Sequence, residues 1–350
     1  MELDPKKVSF ADVAERFLKS IVPDLSPITV ARYEEHWRMH AAPTLGSLPV
    51  ASLKPAHLVE LYTKLRTERV RYRRKTKSKG VAEEQFRVGR PLGPNTVLRV
   101  HRFLHRLLGW AERVNLVVRN VARCVDAPKA SPSPARALTA EQAVALLAAA
   151  EGTRFYPFLA LAIATGMRRG EIGALSWDDV DFDNRTVVVR QAVGQDRSGH
   201  SFIKGTKTGR ERIVPLNALA INALKTQRAL QAAQKLLKRK EYEDRGLVFA
   251  DMFGRLLDLD AISKTFAALS RGLGIKRKGI SLHSCRHFGA TQALAAGSGV
   301  RTVAALLGHA SASTTLNVYG HVVAGAQERA VAQIDHAIAV AQARQAAAEN

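Results

Sequence analysis

At 350 residues the chain is long enough for two domains, each burying its own core. Lys and Arg outnumber Asp and Glu by 53 to 31, and the resulting formal charge of +22 attracts polyanions, which points to nucleic acid as partner. Cys124 and Cys285 stand far apart and form no CxxC pair, so a disulfide framework is excluded. The N-terminus lacks a basic start followed by an apolar core, and no run of ~18 apolar residues occurs. A cytoplasmic protein with no membrane span is expected.

In chain order, Phe10, Val13, Phe17 and Leu18 recur at helical spacing behind Ser9, an N-cap residue type. Ser26-Pro27 opens a second helix through Tyr33 and Trp37, and Lys54-Pro55 precedes a third over Ala56 to Leu65. From about residue 66 to 94 the helical pattern breaks. Eight basic residues and the single acid Glu68 lie between Arg66 and Lys79, with glycines and prolines following. This insertion reads as a charged loop or helix extension, either solvated or tracking phosphates through Arg71, Arg73, Arg74, Lys75 and Lys77. A fourth helix spans Asn95 to Val114 and carries Arg99, Arg102 and Arg106 among its apolar positions, a candidate groove-lining face.

Residues 127–137, APKASPSPARA, hold three prolines among small residues and read as an extended linker. They divide an N-terminal domain, residues 1–126, from a second domain, residues 138–323. Thr139 and Gln142 form a capping box, and a helix from Phe155 to Ala164 stops at Thr165-Gly166. Three strands are predicted next, at Thr186 to Arg190, Ser201 to Lys204 and Arg212 to Val214, with GQDRSGH as a polar turn. Helices resume at Asn217 to Lys240, Asp260 to Leu273, His283 to Ala296 and Val300 to Leu307. The tail, residues 324–350, places Val331, Ile334 and Ile338 on one helical stripe, to dock on its own domain or on a neighbouring subunit. The fold class is mainly α with a small antiparallel β-sheet.

Four segments of the second domain carry residues that a phosphodiester would need. TGMRRGEI holds Arg168 and Glu171, GTKTGRERIVPL holds Lys207, LHSCRH holds His283 and Arg286, and LLGHASASTTLNVYGH holds His309 and Tyr319. A tyrosine hydroxyl can form a covalent phosphoryl-enzyme that a sugar hydroxyl reverses. Guanidinium forks bind the non-bridging oxygens, imidazoles donate hydrogen bonds or move protons, and an amine can protonate the leaving hydroxyl. Singly these residues say little. A lone Tyr packs or sits at the surface, Arg168-Arg169 could open a basic helix, and His283 with His287 has the spacing of some zinc pairs. HSCRH lacks the glutamate of HExxH and no cysteine cluster adds ligands, so no metal site is expected. His287 and His321 read as supporting histidines, and Cys285 as a small buried residue facing away from the site.

In this order and spacing the four segments resemble the tyrosine recombinase (phage integrase) family. TGMRRGEIGALSWDDVDF looks like its first arginine box, the TKTG turn before RIVPL its hairpin lysine, LHSCRH its His-x-x-Arg box and LLGHAS…TTLNVYGH its last box. More loosely, LSPITVARYEEHWRMHAAPTLGSLPV looks like the family's SAM-like core-binding domain. The resemblance implies a helical core-binding domain plus a mixed α+β catalytic domain around double-stranded DNA. It implies Arg168, Lys207, His283, Arg286, His309 and Tyr319 as catalytic, with Lys204 as alternative to Lys207, and Glu171 as an orienting carboxylate with His287 in support. Site-specific recombination through a 3′-phosphotyrosyl intermediate follows, without metal, ATP or other cofactor. The resemblance also implies a homo-tetramer at synapsis, with which a free monomer and an accessory DNA-bending or directionality factor are both compatible. Type IB topoisomerase-like relaxation and a non-catalytic DNA-binding regulator are the alternatives.

Overall fold

The computed structural model describes residues 8–69, 71–73, 86–131, 136–196, 200–206, 209, 211–275, 280–320 and 326–348. The chain divides into two compact units, residues 1–132 and 133–350.

The first unit is built on helices α1 (Phe10–Ser20), α2 (Pro27–Glu35), α3 (Ala42–Leu45), α4 (Pro55–Thr67) and α5 (Pro94–Arg113). Ser9 caps α1 in a reciprocal box with Asp12, as its residue type predicts. Pro27, Pro55 and Pro94 each sit in a first turn, where the missing N–H costs nothing. The second helix does not run straight through Trp37: a π-helical turn, His36–Ala41, joins α2 to α3 and swings Trp37 edge-on to Phe10, with ring centroids 5.2 Å apart. Phe10, Phe17, Leu58, Leu61, Phe103, Leu104 and Leu107 fill the core.

Part of the basic insertion differs from the expected loop or helix extension. Strands β1 (Arg71–Arg73) and β2 (Phe86–Val88) pair antiparallel, with Tyr72 opposite Arg87. Arg74, Lys75 and Lys77 lie outside the described residues.

In the second unit, α6 (Ala140–Ala150) starts at the Thr139–Gln142 capping box. Helix α7 (Tyr156–Thr165) is apolar on all sides and correspondingly buried. Gly166, at φ +63°, ends it in the left-handed conformation that glycine adopts without strain. The short α8 (Arg169–Gly173) follows directly. Strands β3 (Val180–Asp181), β4 (Thr186–Val189) and β7 (Arg212–Pro215) form one antiparallel sheet in the order β3-β4-β7. A separate hairpin pairs β5 (Gln191–Gln195) with β6 (Ser201–Gly205). Sequence reading missed β3 and began the turn inside β5, because Gly194 and two glutamines imitate turn composition.

Helices α9 (Ala218–Lys238), α10 (Leu259–Gly272), α11 (His283–Ala295), α12 (Val300–Leu307), α13 (Ala312–Tyr319) and α14 (Ala326–Ala348) complete the unit. Helix α13 was not anticipated: its Thr and Val residues are poor helix formers, and Ser311 starts it by accepting from the Ser313 N–H. On α14, Val331, Ile334 and Ile338 are each more than half exposed.

Candidate active site

Of the predicted site residues, Arg168, Glu171, His283, Arg286, His287, His309 and Tyr319 gather where α8, β7, α11, the end of α12 and α13 meet. Arg168 precedes α8, and its own N–H donates to Glu171 Oε2 at 2.9 Å. Its Nη1 donates to Glu171 Oε1 at 2.7 Å and its Nη2 to the Gly308 carbonyl at 3.1 Å. Arg286, 2% exposed on α11, donates through Nη1 to Gly166 O at 3.1 Å and through Nη2 to Leu307 O at 2.6 Å.

A third arginine belongs here that sequence reading passed over. Arg212 on β7 donates through Nη1 and Nη2 to the two Glu171 oxygens, and through Nε to Leu306 O at 3.2 Å. One signal was available. Arg212 shares its strand face with the fully buried Val214, so a charged residue points inward.

Three arginines from three segments thus bind three consecutive carbonyls, Leu306, Leu307 and Gly308. These are orphan acceptors at the negative end of α12, so the guanidinium groups cap the helix and are fixed by it. The caps hold the chain where it enters the last box at His309. Gly308 makes the exit turn at φ +65°, and a Cβ there would lie 2.9 Å from Arg212 Nη1.

The electrostatics suit an anion. Burial opposes ionisation of Glu171, but the Arg212 hydrogen bonds and charge, then the Arg168 contacts, outweigh it and lower its pKa. It remains a carboxylate. Three guanidinium groups against one carboxylate leave net positive charge in a partly dry site, where it acts at short range. Burial first, and then the neighbouring histidines and arginines, press His283 and His309 down to about 4, so both imidazoles are neutral at pH 7. His309 Nδ1 is held by Thr315 Oγ1 at 2.8 Å. His283 packs edge-on against His287, ring centroids 4.7 Å apart.

Tyr319, the last residue of α13, is 3% exposed and belongs to this cluster in the same chain. Its Oη lies 2.5 Å from His287 Nδ1. Cys285 is buried, as its residue type suggested. Lys207 lies outside the described residues, as does His321; Lys204 is exposed on β6, opposite Ala192. No group of three or more His, Cys, Asp or Glu poised to hold a metal occurs among the described residues.

In the first unit, Arg99, Arg102 and Arg106 form an exposed stripe on α5, while His101 between them is buried and bonded to the Tyr62 hydroxyl at 2.9 Å. Arg106 Nη1 donates to Tyr33 Oη at 3.3 Å. The backbone of Arg71 and Arg73 is described, in β1. Among the described residues no helix is long and apolar enough to cross a membrane.

The model of the phage integrase family matches residues 136–325, more than half of the chain, and that of the phage integrase N-terminal SAM-like domain matches residues 9–66. A tyrosine recombinase XerC-like protein of Caldanaerobacter subterraneus subsp. tengcongensis is 25% identical over 353 residues, covering 95% of this chain and 84% of that protein. The Tn1549 transposon integrase in complex with transposon right end DNA shares the fold, with TM-score 0.71 at 19% identity over 92% of this chain and 99% of that one. So does a lambda integrase tetramer bound to a Holliday junction, with TM-score 0.61 at 16% identity over 87% of this chain and 79% of that one. These matches lend no support to the topoisomerase-like or regulator alternatives. With the family model spanning the stretch in which the arginines, histidines and tyrosine converge, the chain belongs to the phage integrase family and acts in site-specific DNA recombination, cleaving and rejoining strands.

Proposed function

We propose that Tyr319 is the nucleophile and that Arg168 and Arg286 clamp the non-bridging oxygens of the scissile phosphate. The observation that carries this reading is the contact of the buried Tyr319 phenol with His287, on the helix that also bears Arg286. Tyr319 Oη attacks phosphorus, a 3′-phosphotyrosyl bond forms and the 5′-hydroxyl departs. His283 and His309, neutral at pH 7, donate hydrogen bonds to the phosphoryl oxygens as charge builds there. Glu171 and Arg212 hold Arg168 at its angle. Lys207, or Lys204 on the β5–β6 hairpin, protonates the leaving oxygen. A 5′-hydroxyl of the partner duplex then reverses the step, so each phosphodiester broken is replaced by one of like energy, and neither ATP nor a cofactor enters the balance.

The substrate is a double-stranded recombination site in the cytoplasm, with the protein nucleoid-associated when bound. The basic residues of the first unit, Arg99, Arg102 and Arg106 on α5 and Arg71, Arg73, Arg74, Lys75 and Lys77 in the insertion, contact the DNA backbone. The synaptic assembly is a tetramer, as the lambda integrase complex on a Holliday junction is. A free monomer and an accessory bending or directionality factor accord with this scheme.

The reading is tested with nicked suicide duplexes tiled across the DNA flanking the gene. A covalent adduct joined through the 3′ end of the cleaved strand is expected at one short site. A 5′-linked adduct, or adducts spread evenly over unrelated sequences, would contradict it.

A further inference from the structure

The contact between Tyr319 and His287 assigns more than a neighbour. Burial pushes the Tyr319 phenol up to about 12, against a weaker opposing pull from Arg286, so the phenol keeps its proton at neutral pH. Burial, and then the Arg286 charge, lowers the His287 pKa, so the imidazole is neutral too. A neutral phenol has one hydrogen to give, and His287 Nδ1 lies 2.5 Å from its oxygen. In the tautomer with the ring proton on Nε2, the phenol donates and Nδ1 accepts. An unprotonated nitrogen lone pair is already aimed at the proton that must leave.

The surroundings keep the ring in that pose. His283, one turn earlier on α11, packs edge-on against it at 83°. Arg286 precedes it on the same helix, and Tyr319 faces it from α13. His309 has its Nδ1 tied to Thr315, so it is His287 whose Nδ1 meets the phenol.

We propose that His287 is the general base of strand cleavage, taking the phenolic proton of Tyr319 as the phenolic oxygen bonds to phosphorus and returning it on rejoining. This rests on Tyr319 being the nucleophile. In the forward step the Tyr319 O–H bond breaks and an Nδ1–H bond forms, leaving an imidazolium. The Oη–P bond forms as the P–O5′ bond breaks, and the 5′-oxygen takes its proton from the lysine general acid. On rejoining, the 5′-hydroxyl returns its proton to the lysine as its oxygen bonds to phosphorus, and the displaced phenolate recovers its proton from His287. The negative phosphate arriving with DNA favours the imidazolium that burial and Arg286 disfavour. His287 is thereby a catalytic residue, since it touches the reacting oxygen.

The test is single-turnover adduct formation by the full chain on two suicide duplexes. One carries an ordinary scissile phosphate; the other carries a 5′-bridging sulfur, whose thiolate leaves without a proton. His287→Gln and His287→Ala are expected to slow adduct formation about 10²-fold or more on both substrates while duplex affinity is kept. Imidazole added to His287→Ala is expected to restore rate. His287→Gln keeps an acceptor for the phenol without a base, so it decides the question if the alanine variant does not fold. A wild-type rate in His287→Gln overturns the proposal, because a base is then unnecessary. So does a defect that the sulfur substrate repairs, which would place His287 on the leaving-group side, and so does failure of imidazole to rescue a folded, DNA-binding His287→Ala. Tyr319→Phe, run in parallel, separates the two readings: an adduct from that variant overturns the nucleophile itself.

Discussion

Arg212 binds both oxygens of the Glu171 carboxylate, Nη1 to Oε1 at 3.1 Å and Nη2 to Oε2 at 2.6 Å, across 41 positions of sequence. Glu171 is 2% exposed, and its other partner is Arg168. The carboxylate is therefore a bracket between β7 and the loop that presents Arg168. Removing one arm of such a bracket leaves a buried charge short of a partner, which costs more than the pair contributes.

Arg212→Met is thus expected to lower stability by about 3 kcal/mol, and to slow DNA cleavage because Arg168 loses its fixed angle. Arg212→Met with Glu171→Leu, which removes both charges, should regain most of the stability and none of the activity. Chemical denaturation and adduct yield measure the two effects. Recovery of activity in the double variant would show that the bracket does not position Arg168.

Gly308 stands at φ +65° with Arg212 Nη1 and Cδ at 2.9 and 3.0 Å from where a Cβ would be. Gly308→Ala should cost about 1–2 kcal/mol from the left-handed backbone alone. It should also displace Arg212 and slow cleavage. An unchanged denaturation midpoint together with wild-type cleavage would contradict this.

The histidines set a pH dependence of stability. His36, His283 and His309 are each pressed from an ordinary 6.5 to about 4, burial being the first cause and nearby charges the next. Between those values the unfolded chain binds protons that the folded chain refuses. Stability is therefore fully present above pH 6.5 and declines as pH falls toward 4. Denaturation midpoints at about pH 7, 5.5 and 4.5 should drop in that order, and His36→Gln should flatten part of the slope. A midpoint constant over this range would rule the effect out.

The basic insertion has an electrostatic signature of its own. Residues 71–79, RYRRKTKSK, bring six cations. If they meet phosphates, deleting them should reduce the slope of log affinity against log salt by roughly one unit for each phosphate no longer neutralised. Fluorescence anisotropy on a specific duplex at several salt concentrations reads the slope. An unchanged slope would return the segment to a solvated role.

What the sequence disclosed and what it hid divide along one physical line. Ser9, Thr139 and Gly166 act on backbone within four residues, so their caps were readable locally. Arg168, His283, Arg286, His309 and Tyr319 were legible as candidates because their boxes are compact, and the fold brings them together. Arg212 was overlooked because its role exists only through Glu171 and the end of α12, partners that no local pattern encodes. The π-helical turn at His36–Ala41 and the first residues of β5 escaped for a related reason: packing, not propensity, decides them. His287 was read as a supporting histidine, since only the fold reveals that α13 delivers a phenol to it.

The mechanism depends most on the identity of the nucleophile, and the chain has six tyrosines among which to choose. The direct measurement is to trap the covalent complex on a suicide duplex, digest both components, and locate the nucleotide-bearing peptide by mass spectrometry. The modification should fall on Tyr319, within the peptide that follows His309. A nucleotide attached to any other residue would contradict the mechanism.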